Sequence, residues 1–182
     1  MRPVVLCFSG LDPSGGAGLQ ADIETIAAQG AHAAIVCTAL TVQDSQRVYG
    51  FDTVNVTLMQ QQADKILADL PVKAIKCGML ANPEVVAMVR SVCADHPHIP
   101  LVLDPVLAAN SGGALTVKGF TEHLKSLLPL ASVITRACNE PPERPLRCGI
   151  AVPPKLPVML TSEEKVNSRV LADAWQPTQF GS

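Results

Sequence analysis

The chain has 182 residues, of which 48% are hydrophobic and 16% charged, and its formal net charge is −2. This composition excludes a disordered chain and offers no basic surface for nucleic acid or an anionic membrane. No apolar run approaches the roughly 18 residues of a membrane span, and the run at residues 4–8 is too short for a secretory signal. We therefore expect a soluble cytoplasmic domain with an aliphatic core.

The first 135 residues alternate between strand-like and helix-like segments. Apolar runs predict buried strands at residues 3–9, 33–42, 73–77, 101–103 and 131–135, and a loosely alternating segment at 49–56 predicts a short extra strand. Helical spacing of apolar residues predicts helices at 15–30, 58–70 and 116–128, and Pro83 is expected to open another. Such alternation is typical of an α/β fold with a parallel sheet and right-handed crossovers.

Apolar stripes indicate which side of each helix faces the core. Gly30 is the expected stop of the first helix and Pro71 that of the second. The candidate core residues in the first three predicted helices are Leu19, Ile23, Ile26 and Ala27, then Leu58, Ile66, Leu67 and Leu70, then Val85, Val86, Val89, Val92 and Cys93.

Polar and glycine-rich stretches follow the predicted strands. They lie at residues 10–18, 43–44, 78–79 and 104–113. Ligands of open parallel sheets bind beyond the carboxyl ends of the strands, so all four stretches are expected at the same edge. This convergence predicts a binding site there.

The first of these stretches reads Ser-Gly-Leu-Asp-Pro-Ser-Gly-Gly-Ala-Gly over residues 9–18. Its glycines allow close backbone approach, and the N–H groups of the following helix would suit an anionic or polar ligand. The spacing matches neither the P-loop nor the dinucleotide-binding fingerprint. On spacing alone, a tight turn without a ligand explains it equally well.

The six cysteines include no C-x-x-C pair, which argues against a zinc site or a redox dithiol. We interpret them as buried free thiols that behave as small hydrophobic residues. The four histidines match no motif, and we interpret them as surface or structural residues.

Residues 3–135 resemble the hydroxymethylpyrimidine and phosphomethylpyrimidine kinases of thiamine biosynthesis, a branch of the ribokinase-like superfamily. The matching segments are residues 9–22, then Thr-Ala-Leu-Thr-Val-Gln at 38–43, Lys-Cys-Gly-Met-Leu at 76–80, Val-Leu-Asp-Pro-Val at 102–106, Ser-Gly-Gly at 111–113 and Leu-Pro-Leu-Ala-Ser-Val-Ile-Thr at 128–135. The resemblance implies a Rossmann-like, ribokinase-like parallel sheet flanked by helices, with an incomplete C-terminal part. It also implies transfer of the γ-phosphoryl group of ATP, with Mg²⁺, to a pyrimidine alcohol and then to its monophosphate, by a chain that pairs as a homodimer.

The resemblance also assigns roles to individual residues. It implies that Gly10, Asp22 and Gln43 line the pyrimidine pocket, that Met79 packs on the ring and that Val106 forms a further wall. It places Asp104 at the phosphate and metal end of the cleft.

Each of these roles has a structural alternative. Gln43 reads equally as a polar strand-end residue, although an amide also offers the donor and the acceptor that an aminopyrimidine needs. Asp22 could be an ordinary acid in the first turn of a helix, Met79 a core methionine, and Asp104 part of an Asp-Pro turn.

Residues 136–182 differ in character, since they hold seven of the fifteen prolines. We treat 1–135 as the core with the substrate site and 136–182 as a divergent proline-rich tail, with one candidate helix at 163–175. The Gly-Thr-Gly element that supplies the catalytic residue in this family is absent from the sequence, so no catalytic residue is assigned. We hypothesise a truncated or frame-shifted kinase with impaired activity.

Three other interpretations stay open. They are a non-catalytic pyrimidine-binding module, an inactive pseudogene product and a pyridoxal-type kinase of the same superfamily.

Overall fold

A computed structural model describes residues 2–106, 120–136 and 159–161 of the chain. Within these ranges one sheet runs in the order β3-β2-β1-β4-β5-β6-β7. Its strands are β1 (Val4–Leu11), β2 (His32–Gln43), β3 (Val48–Thr53), β4 (Val72–Cys77), β5 (Leu101–Leu103), β6 (Ala131–Arg136) and β7 (Met159–Thr161). The predicted α/β architecture with a central sheet is confirmed.

One strand departs from the predicted parallel arrangement. The pair β2 and β3 is antiparallel, whereas every other neighbouring pair in the described sheet is parallel. Only residues 44–47 connect β2 to β3, and so short a connection cannot carry a parallel crossover. The sheet is therefore mixed.

Three of the helices are α1 (Gly18–Ala28), α2 (Val56–Asp69) and α3 (Pro83–Asp95). The backbone N–H of Gly30 (φ +76°) donates to Ala27, which confirms the predicted stop of α1. The side chain of Asn82 accepts from the backbone N–H of Val85 at 2.9 Å and caps α3, with Pro83 in the first turn as predicted.

The helix predicted at 116–128 is only partly helical in the described residues. Helix α4 (Phe120–Leu124) passes into a 3-10 helix, Lys125–Leu130, that contains Pro129. Proline has no N–H for the α-helical ladder, which explains the tighter turn. Residues 116–119 lie outside the described ranges.

The core lies between the sheet and helices α2, α3 and α4. All five residues of the predicted α3 stripe are buried. Helix α2 is shifted in phase, because Met59 and Ala63 are fully buried while Leu58 is 47% exposed. The prediction for Leu58 was therefore wrong, whereas Ile66, Leu67 and Leu70 do pack against the core.

Helix α1 buries little of its predicted stripe. Leu19 is 3% exposed, but Ile23 and Ile26 are half-buried and Ala27 is exposed, so the prediction for Ala27 was wrong.

Strand β7 was not predicted. It pairs with β6 from Ile134↔Met159 to Arg136↔Thr161 and is the outermost described strand on that side. The candidate helix at 163–175 lies outside the described ranges, and no described helix is both long and apolar enough to cross a membrane.

The cysteines of the described region are free thiols. Cys7, Cys77 and Cys93 are buried, as interpreted from the sequence, and Cys37 is partly exposed. Burial raises the pKa of Cys7 to about 12 and that of Cys93 to about 11, so both stay protonated at neutral pH. Cys138 and Cys148 lie outside the described residues.

Candidate functional site

The strand order reverses at β1, whose neighbours are β2 on one side and β4 on the other. Binding sites of open α/β sheets form at such a point, beyond the carboxyl ends of the strands. Gly10 lies at the end of β1 and Met79 two residues after the end of β4. A Cβ atom on Gly10 would lie 3.0 Å from Met79 Sδ, so the two residues are in close contact across this edge.

Met79 belongs to a small apolar cluster separate from the main core. This Met79 cluster contains buried Ala39, Met79 and Ala81, with partly buried Val48, Phe51 and Val106 packed against them. The hydroxyl of Thr38 donates to the backbone oxygen of Met79 and fixes the turn after β4. The cluster thus brings residues of β2 and β3 together with the segments that follow β4 and β5 in one apolar wall.

Gln43 is the last residue of β2 and pairs with Val48 across the β2–β3 hairpin. Because Val48 packs against the Met79 cluster, the backbone of Gln43 lies next to the apolar wall. A register shift between Val42 and Gln43 locally interrupts the strand alternation there.

Asp22 forms an ion pair with Lys76, which stands near the end of β4. Lys76 Nζ lies 2.8 Å from Asp22 Oδ1 and 2.9 Å from Oδ2, and the two side chains are only 20% and 16% exposed. Burial alone would lower the pKa of Lys76, but the charges of Asp22 and then Asp104 outweigh it and raise that pKa. Helix α1 begins at Gly18, so Asp22 lies beyond its first turn and the first-turn alternative does not apply.

The end of β4 is also crowded over Gly78. A Cβ atom placed on Gly78 would lie 2.6 Å from Ser9 Oγ and 2.8 Å from Lys76 Nζ. Ser9 is 2% exposed, so its hydroxyl and the Lys76 ammonium share an enclosed space.

The glycine-rich loop between β1 and α1 is a tight, internally bonded turn. Asp12 Oδ1 accepts hydrogen bonds from the backbone N–H and the hydroxyl of Ser14, each at 2.8 Å. Gly18 has φ +60°, and a Cβ atom on it would lie 2.2 Å from the backbone oxygen of Gly10. The loop thereby folds back onto the strand end that meets Met79.

Asp104 follows β5, and its backbone N–H donates to Cys77 at 2.8 Å. Its charge acts on Lys76, so Asp22, Lys76 and Asp104 form one electrostatic group. Across the described ranges no three His, Cys, Asp or Glu side chains converge as a metal site.

The structure brings most of the predicted site residues together. Gly10, Met79 and Val106 meet at the apolar wall and Gln43 borders it, while Lys76 forms an ion pair with Asp22 and has its pKa raised by the charges of Asp22 and Asp104. The Ser-Gly-Gly segment at 111–113 lies outside the described residues.

Sequence reasoning missed Phe51 and Lys76. The only local signal for Phe51 was its aromatic side chain within the strand predicted at 49–56. No local pattern indicated that Lys76 is the partner of Asp22.

Comparison with known proteins gives this geometry a context. The phosphomethylpyrimidine kinase family matches residues 12–142, which is well over half of the chain. The chain belongs to the phosphomethylpyrimidine kinase family. The match begins within the glycine-rich loop and includes Asp22, Gln43, Met79 and Asp104.

Individual members of this and related kinase families agree. The chain is 36% identical, over 149 residues, to the hydroxymethylpyrimidine/phosphomethylpyrimidine kinase of Haemophilus influenzae, covering 81% of this chain and 54% of that one. A crystal structure of the phosphomethylpyrimidine kinase from Clostridium difficile superposes with a TM-score of 0.68 at 35% sequence identity, covering 74% of this chain and 58% of that one. The structure of the pyridoxal kinase of Staphylococcus aureus in complex with pyridoxal superposes with a TM-score of 0.66 at 28% sequence identity, covering 74% of this chain and 50% of that one. The chain thus spans about half the length of these relatives.

Proposed function

We propose that this chain forms the pyrimidine-binding part of an ATP-dependent kinase that phosphorylates 4-amino-5-hydroxymethyl-2-methylpyrimidine and its monophosphate. The observation that carries the proposal is the apolar wall around Met79, which Gly10 contacts closely and which Gln43 borders. A flat heteroaromatic ring with polar edges suits a surface of this kind.

Recognition of the ring would combine three contacts. The Met79 sulfur would pack on the ring, as thioethers do on aromatic systems. The amide of Gln43 would supply one donor and one acceptor, and the Asp22 carboxylate would accept from the exocyclic amine. Val106 and Phe51 would bound the ring at its sides.

The cofactors of the proposal are ATP and Mg²⁺. ATP supplies the phosphoryl group when bound. Asp104 would face the cation, because a partly exposed carboxylate at this edge is the oxygen ligand that Mg²⁺ prefers. Thr135, the last residue but one of β6, has a buried hydroxyl without a hydrogen-bond partner among the described residues, and it is a candidate polar contact for the nucleotide half.

Two measurements test the proposal. Calorimetric titration with the hydroxymethylpyrimidine tests binding, and pyrimidine-dependent release of ADP from MgATP tests catalysis. We expect binding, and we expect weak turnover because no Gly-Thr-Gly element is present in the sequence. Binding without any ADP release would favour the non-catalytic pyrimidine-binding module, and absence of binding would refute the proposal.

A pair of glutamine variants tests the pocket assignment. Gln43→Ala should abolish detectable pyrimidine binding, whereas Gln46→Ala, which changes an exposed side chain in the neighbouring turn, should leave it unchanged. Equal affinity of the Gln43→Ala variant and the unsubstituted protein would show that the pocket lies elsewhere.

A pyridoxal-type kinase is the second candidate. The observation that favours it is the 28% sequence identity between this chain and a pyridoxal kinase that was solved in complex with pyridoxal. Titration with pyridoxal beside the pyrimidine separates the two, and tighter binding of pyridoxal would favour this alternative.

We also propose that the chain acts in the cytoplasm as a homodimer. The side chains of Leu40 and Val42 are 52% and 65% exposed on β2, and Leu11, which pairs with Leu40, is also exposed. Apolar side chains clustered at a surface are typical of an interface. Sedimentation velocity should show a dimer, and a monomer at all concentrations would refute this part.

A further inference from the structure

We propose that Lys76 is a positioning residue of the pyrimidine site that holds the Asp22 carboxylate in place. Gly78 is required in this arrangement, because a side chain there would occupy the space that the Lys76 ammonium needs. The inference rests on the proposed function. It assigns no chemical step to Lys76, since the ammonium would act on the ligand only through Asp22.

The geometry joins distant parts of the chain. Lys76 pairs in register with Cys7 of central strand β1, while Asp22 lies on α1. The ammonium contacts both carboxylate oxygens, at 2.8 Å and 2.9 Å. A carboxylate held at both oxygens has a fixed plane, yet each oxygen retains a lone pair for a further donor. The ion pair thereby orients Asp22 and leaves its carboxylate able to accept hydrogen bonds from a ligand.

Stability alone is a poor explanation for this ion pair. Burying two charges costs desolvation energy that their attraction only partly offsets, so apolar side chains of similar volume often stabilise a fold as well. A largely buried pair beside a cleft therefore indicates a requirement for the carboxylate itself, in a defined orientation.

Lys76 also balances the charge of the site. Asp22 and Asp104 both act on its ammonium, so two carboxylates share one cation. The nearby thiols of Cys7 and Cys77 are kept protonated by burial and add no charge. Loss of the ammonium would remove the positive charge that both carboxylates face.

Gly78 provides an independent observation. A Cβ atom at this position would lie 2.8 Å from Lys76 Nζ and 2.6 Å from Ser9 Oγ, nearer than side-chain atoms normally approach. The φ angle of Gly78 is not in the left-handed region, so its backbone does not demand glycine. The space is what demands it, because any side chain would displace the ammonium from Asp22.

The test is calorimetric titration of full-length variants with the hydroxymethylpyrimidine. We expect Lys76→Met and Gly78→Ala each to weaken binding about tenfold or more, the scale on which contacting groups couple. Lys76→Arg retains the charge and should recover most of the loss. Lys73→Met is the matched control, because Lys73 lies on the same strand but is exposed, and it should bind as the unsubstituted protein does.

Thermal unfolding followed by circular dichroism checks that each variant is folded. If Lys76→Met does not fold, the double variant Lys76→Met/Asp22→Asn, which removes both charges, replaces it. Comparison of that double variant with Asp22→Asn should then show that Lys76→Met adds little once Asp22→Asn is present, because Lys76 acts through Asp22. A further loss of about tenfold in the double variant would refute the positioning role.

The outcomes separate this inference from the proposed function. If the unsubstituted protein binds no pyrimidine, the proposed function fails and the inference fails with it. If it binds, and folded Lys76→Met binds equally well or the two substitutions are additive, only the positioning role is refuted.

Discussion

Gly18 makes the sharpest prediction about the fold of the site. Gly18 and Gly30 both have positive φ angles, +60° and +76°. A Cβ atom on Gly30 would meet nothing within 4 Å, whereas one on Gly18 would lie 2.2 Å from the backbone oxygen of Gly10. Alanine at either position suffers left-handed strain of about 1–2 kcal/mol. Only alanine at position 18 must also displace backbone.

The expected difference follows from this comparison. Gly30→Ala should cost about 1 kcal/mol and lower Tm by roughly 2–4 °C in a chain of this size. Gly18→Ala should cost at least about 3 kcal/mol, which scales to roughly 6–12 °C. Thermal and urea unfolding followed by circular dichroism measure both values.

Binding gives a second readout for the same pair. Gly18→Ala should also weaken pyrimidine binding, because Gly10 faces Met79 and would move with the loop. Equal losses of stability in the two variants would refute the backbone contact on which the argument depends.

Three further predictions concern the core, the thiols and the β2–β3 turn. Met59→Ala should cost about 2–5 kcal/mol in urea unfolding, because Met59 is fully buried, whereas Leu58→Ala should cost under about 1 kcal/mol; equal costs would contradict the phase of α2. Iodoacetamide at pH 8 should label partly exposed Cys37 well before buried Cys7, whose pKa is raised to about 12, as peptide mass spectrometry would show; equal rates would contradict the burial. The hydrogen bond from Tyr49 and the backbone N–H groups of the turn lower the pKa of Asp44, so its contribution to stability is present above the ordinary aspartate pKa and is lost as pH falls through the lowered value. Tyr49→Phe should raise that pKa in an NMR titration, and an unchanged value would contradict the assignment.

The sequence predicted the sheet well because buried strands leave an unambiguous pattern. The run 101–103 matches β5 residue for residue, and the run 33–42 differs from β2 by one residue at each end. The α3 stripe was equally clear, because valines alternate there at helical spacing with polar residues. In each case the local pattern and the packing require the same residues to be buried.

Where local pattern was weak, the prediction was wrong. Polar residues dominate the middle of α2, so the apolar spacing did not define which face of the helix is buried. Leu58 was predicted to be a core position, whereas the face that carries Met59 and Ala63 is the one that packs inward. The direction of β3 depended on the length of the 44–47 turn rather than on apolar spacing. That length was available in the sequence, so the antiparallel pairing could have been predicted.

The same distinction applies to the candidate site. The positions of Gly10, Gln43 and Met79 at one edge of the sheet could be predicted because each comes just after a predicted strand, whereas their roles in binding come from the resemblance and stay predictions. The partnership of Asp22 with Lys76 could not, because the two residues are 54 positions apart and meet only when α1 packs on β1 and β4 pairs with β1.

The order of the strands has a consequence for which parts of the chain must fold together. Strands β2 and β3 lie on one side of β1, and the chain then crosses over so that β4 pairs with the other side. Met79 contacts Gly10, and Lys76 contacts Asp22, only when β4 is paired with β1. Residues from two separate stretches of the chain therefore meet at the apolar wall, and a fragment that ends before residue 72 would contain the glycine-rich loop and Gln43 but neither Lys76 nor Met79.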